Sequence, residues 1–154
     1  MRHSALKVEY NNLTTRLISE VEISDSLNKS KNINAKALWD TGAMMTAITP
    51  EAAKYLNLVS YDRRKVKGIK DEITLTGIAR VCIKLPDIQE IICDVLICSL
   101  VKDIDLLIGM DIIQLGDFSI SNGGKKTLFT FVIPPFKNKT DLFEKAVEIN
   151  KSLI

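Results

Sequence analysis

One histidine, His3, is all the imidazole this chain contains, and it stands in a polar opening segment. A Ser-His or Cys-His nucleophile pair therefore lacks a credible base. Cysteine is sparse and odd in number: Cys82, Cys93 and Cys98. That count argues against a secreted disulfide framework and for reduced, buried thiols in a cytoplasmic protein. Cys93 and Cys98 fall on opposite faces of a regular strand and do not make a zinc knuckle, so neither metal nor cofactor is expected. No glycine-rich loop is followed by Lys-Ser or Lys-Thr, and Asn122-Gly123-Gly124 reads as a hairpin turn rather than a phosphate cradle. Long apolar runs are missing too. Residues 91–100 contain Cys and Asp and are far too short to cross a bilayer, and residues 1–20 lack the apolar core of a secretory signal. A net charge of +2 is too small to argue for nucleic acid or a membrane surface. The short clusters Arg63-Arg64-Lys65 and Lys125-Lys126 read as solvated loops.

What is present suits one soluble domain. A chain of 154 residues, 46% of them hydrophobic, can bury a core of its own. Residues 1–14 read as a flexible start, 15–135 as the domain and 136–154 as a C-terminal helical extension. Alternating apolar residues predict strands over 14–24, 35–39 and 91–100, with a long hairpin over 60–85 whose tip lies near Lys70-Asp71-Glu72. A further short strand is expected over 46–49. Thr49-Pro50-Glu51 is a helix start, combining a good cap, a proline suited to the first position and an acid at the positive end of the dipole. Two strands, 118–121 and 127–133, flank the Asn122 turn, and Leu142, Phe143, Ala146, Val147, Ile149 and Leu153 mark a closing amphipathic helix.

Two segments carry chemistry. In Ala37-Leu38-Trp39-Asp40-Thr41-Gly42-Ala43 an apolar strand delivers a carboxylate to its end. Thr41 can hydrogen-bond locally there, and Gly42 permits a sharp turn or a close approach. In Leu106-Leu107-Ile108-Gly109-Met110-Asp111 a wholly apolar run, expected to be buried on both faces, stops at a glycine. Asp111 reads as the cap of a short helix over 112–115. Trp39 reads as core, and Met44 and Met45 as packing residues before specificity residues.

Taken together, these two segments resemble the retropepsin-like aspartic proteases: the Asp40-Thr41-Gly42-Ala43 form is similar to the retroviral version, and Leu107-Ile108-Gly109 to the family's second signature. The resemblance spans residues 15–133. It implies an all-β fold, a mostly antiparallel closed β-barrel with one or two short helices. It also implies peptide hydrolysis without metal or covalent intermediate. Two carboxylates ~3 Å apart share one proton, because both cannot ionise cheaply. One acts as base on water and the other donates to the scissile carbonyl. No other Asp is followed by Thr-Gly or Ser-Gly, so the resemblance implies a homodimer with one Asp40 from each chain, acting on a protein or peptide. It places a flap over Gly68, Ile69, Lys70, Asp71, Glu72 and Ile73. Two departures stand out. Met44 and Met45 occupy the place where retroviral enzymes carry an acidic residue that holds the substrate backbone, and the flap tip is charged rather than glycine-rich. A non-catalytic dimerisation or peptide-binding module of the same fold is the rival expectation, and a monomeric β-barrel binding protein the third.

Overall fold

Short strands with one apolar face bury it by folding onto one another, and here the sheet they form closes. The computed structural model describes residues 2–67 and 73–153. The elements in chain order are β1 (Ser4–Glu9), β2 (Ile18–Asp25), β3 (Asn32–Trp39), β4 (Ala47–Ile48), α1 (Pro50–Tyr55), β5 (Asp62–Lys67), β6 (Ile73–Lys84), β7 (Ile91–Ile97), β8 (Leu106–Ile108), α2 (Met110–Ile113), β9 (Asp117–Ser121), β10 (Leu128–Ile133) and α3 (Leu142–Lys151). In the larger sheet the order is β2-β3-β8-β4-β7-β6-β5, and β6 turns back to pair with β2 through Glu22↔Lys84 to Asp25↔Val81. Six strands therefore form a closed barrel, with β5 attached to the outside of β6. This is the mostly antiparallel β-barrel that the family resemblance implies. Among the described residues only β3–β8 and β4–β7 run parallel.

The barrel interior is filled by alternate residues of each strand, Val21, Ile23, Ala35, Ala37, Val81, Ile83, Val95, Leu106 and Ile108, all buried. A second sheet, β1-β10-β9, closes one end and adds Leu6, Phe129 and Phe131 to the same core. Trp39 sits where the two sheets meet. Its ring lies 5.0 Å from Phe129 and 4.9 Å from Phe131, and its indole N–H donates to Ser19 Oγ at 2.9 Å. The last residue of β3 is thus held by packing and by a hydrogen bond before the chain reaches Asp40.

Thr49 caps α1 as the sequence predicts, its hydroxyl accepting the Ala52 N–H at 3.3 Å. Other expectations change. Residues 4–9, read as a flexible start, form β1 and pair along their whole length with β10, from Ser4↔Ile133 to Glu9↔Leu128. The reason is non-local: only Leu6 is buried, so the alternation is faint, and the partner strand lies at the other end of the chain. Tyr10 continues the attachment, its hydroxyl donating to Ile18 C=O at 2.7 Å and accepting the Ile18 N–H at 2.8 Å. Arg63, Arg64 and Lys65 lie on β5 rather than in a loop. The closing helix is present as α3, capped by Asp141, but none of its residues is buried; Leu142, Phe143 and Ile149 face solvent.

Truncating the side chain that joins the sheets removes the most packing at one stroke. Trp39→Ala is expected to lower unfolding stability by about 3–5 kcal/mol in a urea titration, and a loss under 1 kcal/mol would mean that the ring is not the joint between the sheets.

Candidate active site

Asp40 follows β3 directly, and β8 fixes where that end lies. Trp39 pairs with Ile108 in the parallel ladder, and the Asp40 N–H donates to Ile108 C=O at 2.9 Å. The chain then turns back on itself. Oδ1 of Asp40 accepts the Gly42 N–H at 2.8 Å, and Asp40 C=O accepts the Ala43 N–H at 3.3 Å. One carboxylate oxygen is thereby oriented by its own loop, and the side chain is half-buried. Gly42 earns its place by proximity, since a Cβ there would stand 3.1 Å from Asp40 Oδ1. Thr41 is exposed and, among the described residues, its hydroxyl has no hydrogen-bond partner, so the local bond expected of it is absent. Asp40 and Thr41 open into a cavity of about 480 Å³ whose walls include Arg16, Leu38, Phe118 and Ile120.

The second signature supports this loop from beneath. A Cβ on Gly109 would lie 2.7 Å from Met45 C, 2.8 Å from Met45 O and 3.0 Å from Ala43 O, so only glycine lets the two backbones meet. Met110 N–H donates to Ala43 C=O at 2.8 Å and Asp111 N–H to Met44 C=O at 3.2 Å. Asp111 is not the cap of α2; that position is Gly109, which offers no side chain. The Asp111 carboxylate accepts the Ile112 N–H of its own helix at 3.0 Å and also the Thr46 N–H at 2.9 Å and the Thr46 hydroxyl at 2.8 Å, while Thr46 Oγ1 accepts the Gly109 N–H at 3.2 Å. Thr46 is wholly buried. This bracket was missed in the sequence, where a buried Thr beyond the loop and an acid beyond the glycine carry no local signal for each other. Burial, then the negative charge of Asp111, push the Cys93 thiol up to about 12.

The remaining expected site residues divide. Ala43, Leu107, Ile108 and Gly109 gather around Asp40 as described. Leu106 and Ile108 are buried on one face of β8, whereas Leu107 on the other face is only partly buried, so the expected burial on both faces is incomplete. Met44 is 86% exposed beside the loop. Ile73 begins β6 with its side chain in solvent. Gly68, Ile69, Lys70, Asp71 and Glu72 lie outside the described residues. Among the described residues no three His, Cys, Asp or Glu side chains gather to hold a metal ion, and no helix is long and apolar enough to cross a membrane.

Residues 20–112 match the model of a family described as aspartyl protease. Among solved structures the chain is similar to EIAV protease bound to an inhibitor, with 24% identity, a TM-score of 0.52, and coverage of 67% of this chain and 89% of that one. It is also similar to a retropepsin-like aspartic protease from Rickettsia conorii, with 14% identity, a TM-score of 0.56, and coverage of 86% and 96%. At these identities the likeness is one of fold. No curated protein matches the chain.

Two outcomes follow from the bracket. Asp111→Ala leaves the buried Thr46 N–H and hydroxyl without their acceptor and is expected to cost about 1–3 kcal/mol in chemical denaturation; a neutral effect would mean that the bracket does not hold the loop. The unfolded chain ionises Cys93 near its ordinary value of 9.0, whereas the folded chain keeps the proton to about 12. Stability is therefore lost as pH rises through that interval. Cys93→Val is expected to flatten this alkaline loss, measured as denaturation midpoint against pH.

Proposed function

The chain belongs to the aspartyl protease family, and from that premise we propose that it hydrolyses peptide bonds with a dyad made of Asp40 and the Asp40 of a second copy. The observation that carries the reading is the carboxylate itself: strand-delivered, half-buried, oriented through one oxygen by Gly42 N–H, and open to a cavity. Each chain supplies one such carboxylate, and two are needed for one to be protonated while the other is charged. The charged Asp40 takes a proton from water as its oxygen attacks the scissile carbonyl carbon. The protonated Asp40 gives its proton to the carbonyl oxygen, forming a tetrahedral diol. Collapse of the diol breaks the C–N bond, and a proton passes to the leaving amine. Gly42 keeps the acting oxygens in place, and Thr41, exposed beside them, is positioned to brace the two loops against each other.

A dimer at this place is also supported by β9. Among the described residues β9 pairs only with β10, so its outer edge is unmatched, and Phe118 and Ile120 from this strand wall the same cavity as Asp40 and Thr41. A two-fold axis bringing the Asp40 loops together would pass close to these edges, because both wall one cavity. The second reading, a peptide-binding module of the same fold without hydrolysis, draws on Met44, an exposed thioether where retroviral enzymes hold an acid.

Asp40→Asn is expected to lower kcat by more than about a thousandfold while leaving the sedimentation coefficient and the melting transition in place. Mixing wild-type and Asp40→Asn chains in equal amounts, with exchange, is expected to leave about one quarter of the activity, because only pairs of wild-type chains are intact. Retention of one half would mean that each chain works alone. Absence of cleavage across a broad peptide library would favour the binding module.

A further inference from the structure

The basic cluster of β5 is left unused by the dyad. Arg64 pairs with Thr76 and Val66 with Thr74 in the β5–β6 ladder, so Arg64 and Val66 share a face. Val66 packs with Met45 and Leu107 against Ala47, Ile78 and Leu96, a small apolar cluster separate from the barrel core. Leu107 precedes Ile108, whose carbonyl receives the Asp40 N–H, and Met45 belongs to the segment that Gly109 supports. Met45, Leu107 and Val66 thus share one apolar cluster, and two of them, Met45 and Leu107, sit in the segments that hold the Asp40 loop. Arg64 stands beside this cluster, exposed, with Nη1 2.7 Å from Met45 Sδ. A thioether is a weak acceptor and leaves the guanidinium charge in force.

Of the carboxylates on this face, Asp94 is held below the usual range first by Arg80 and to a smaller degree by the Arg64 charge. Asp94 is gripped by Arg80, with Oδ1 2.7 Å from Nε and Oδ2 3.3 Å from Nη2. Arg80 lies over the Tyr61 ring at 6.0 Å. Asp62 turns back to accept the Arg63 N–H at 2.7 Å. An extended peptide along this cluster sets same-face side chains about 6.6 Å apart. One of them meets the apolar stretch nearest Asp40, and one further out meets a planar cation suited to bidentate capture of a carboxylate.

We propose that Arg64 is a specificity-determining residue that selects peptides carrying an acidic side chain beyond an apolar one on one side of the cleaved bond, an inference that rests on the proteolytic reading above. The test uses the full chain and peptide pairs identical except for Glu or Gln, the substitution being scanned over the positions two to four residues from the cleaved bond. Wild-type protein is expected to favour the Glu peptide about tenfold in kcat/KM at one position, with the ratio shrinking as salt is raised. Arg64→Gln is expected to bring the ratio to near one. Arg64→Glu is expected to invert the preference toward a Lys peptide. Arg64 is exposed, so the variants keep the fold, which the melting transition checks. Cleavage with no Glu preference at any position, or a preference that survives Arg64→Glu, overturns the proposal and leaves proteolysis standing. Binding of the same peptides to Asp40→Asn, read by fluorescence anisotropy, separates the other failure: an Arg64-dependent Glu preference in binding, with no cleavage by wild-type protein, upholds charge selection and removes the protease.

Discussion

Strand β8, hydrogen-bonded between β3 and β4, is the constraint on which the site depends. It is three residues long, yet it sets the end of β3 from one side and the start of β4 from the other. Gly109 at its tip lets the backbone of residues 43–45 come within contact distance, and Thr46 and Asp111 tie the far side of that segment to α2. Asp40 is then placed by neighbours on three strands rather than by its own loop alone. Such placement suits a carboxylate whose task depends on distance and orientation more than on raw acidity.

The surroundings of that carboxylate differ in chemistry on its two sides. Toward β9 the cavity is lined about evenly by polar groups, Thr14, Thr15, Arg16 and Asn122 among them, and by apolar ones such as Leu17, Phe118 and Ile120. Toward β5 an apolar cluster containing Met45, Val66 and Leu107 ends at a guanidinium. Met44, exposed, and Met45, half-buried, follow the Asp40 loop and give that side a soft, adaptable surface. The site thus combines a geometry common to its fold with a lining of its own.

Legibility in the sequence followed the range of the interactions involved. The α1 start was plain because cap, proline and acid all act within one turn. The β6 and β7 strands were plain because they alternate at length, and β8 because its apolar run ended at a glycine. Asp40 was legible through its pairing with Leu107-Ile108-Gly109, and the structure brings those segments together. What failed was non-local. The β1 strand needs β10, more than a hundred residues away, to be a strand at all. Asp111 was read through the nearest donors, and it does accept the Ile112 N–H, but a buried Thr46 also offered it two donors that could not be left unmatched. The α3 helix was read correctly from its period, but period does not say what a helix packs against, and here its apolar residues meet solvent.

Strand β9 has a consequence for handling the molecule. Its sequence Asp-Phe-Ser-Ile-Ser carries one charge at the extreme end, no proline and no lysine, the usual guards of an open sheet margin. A solitary copy consequently offers an adhesive ribbon to any extended strand it meets, including those of half-folded siblings. Such encounters become more frequent as the protein is concentrated, so any assembly that covered this margin would also guard against aggregation.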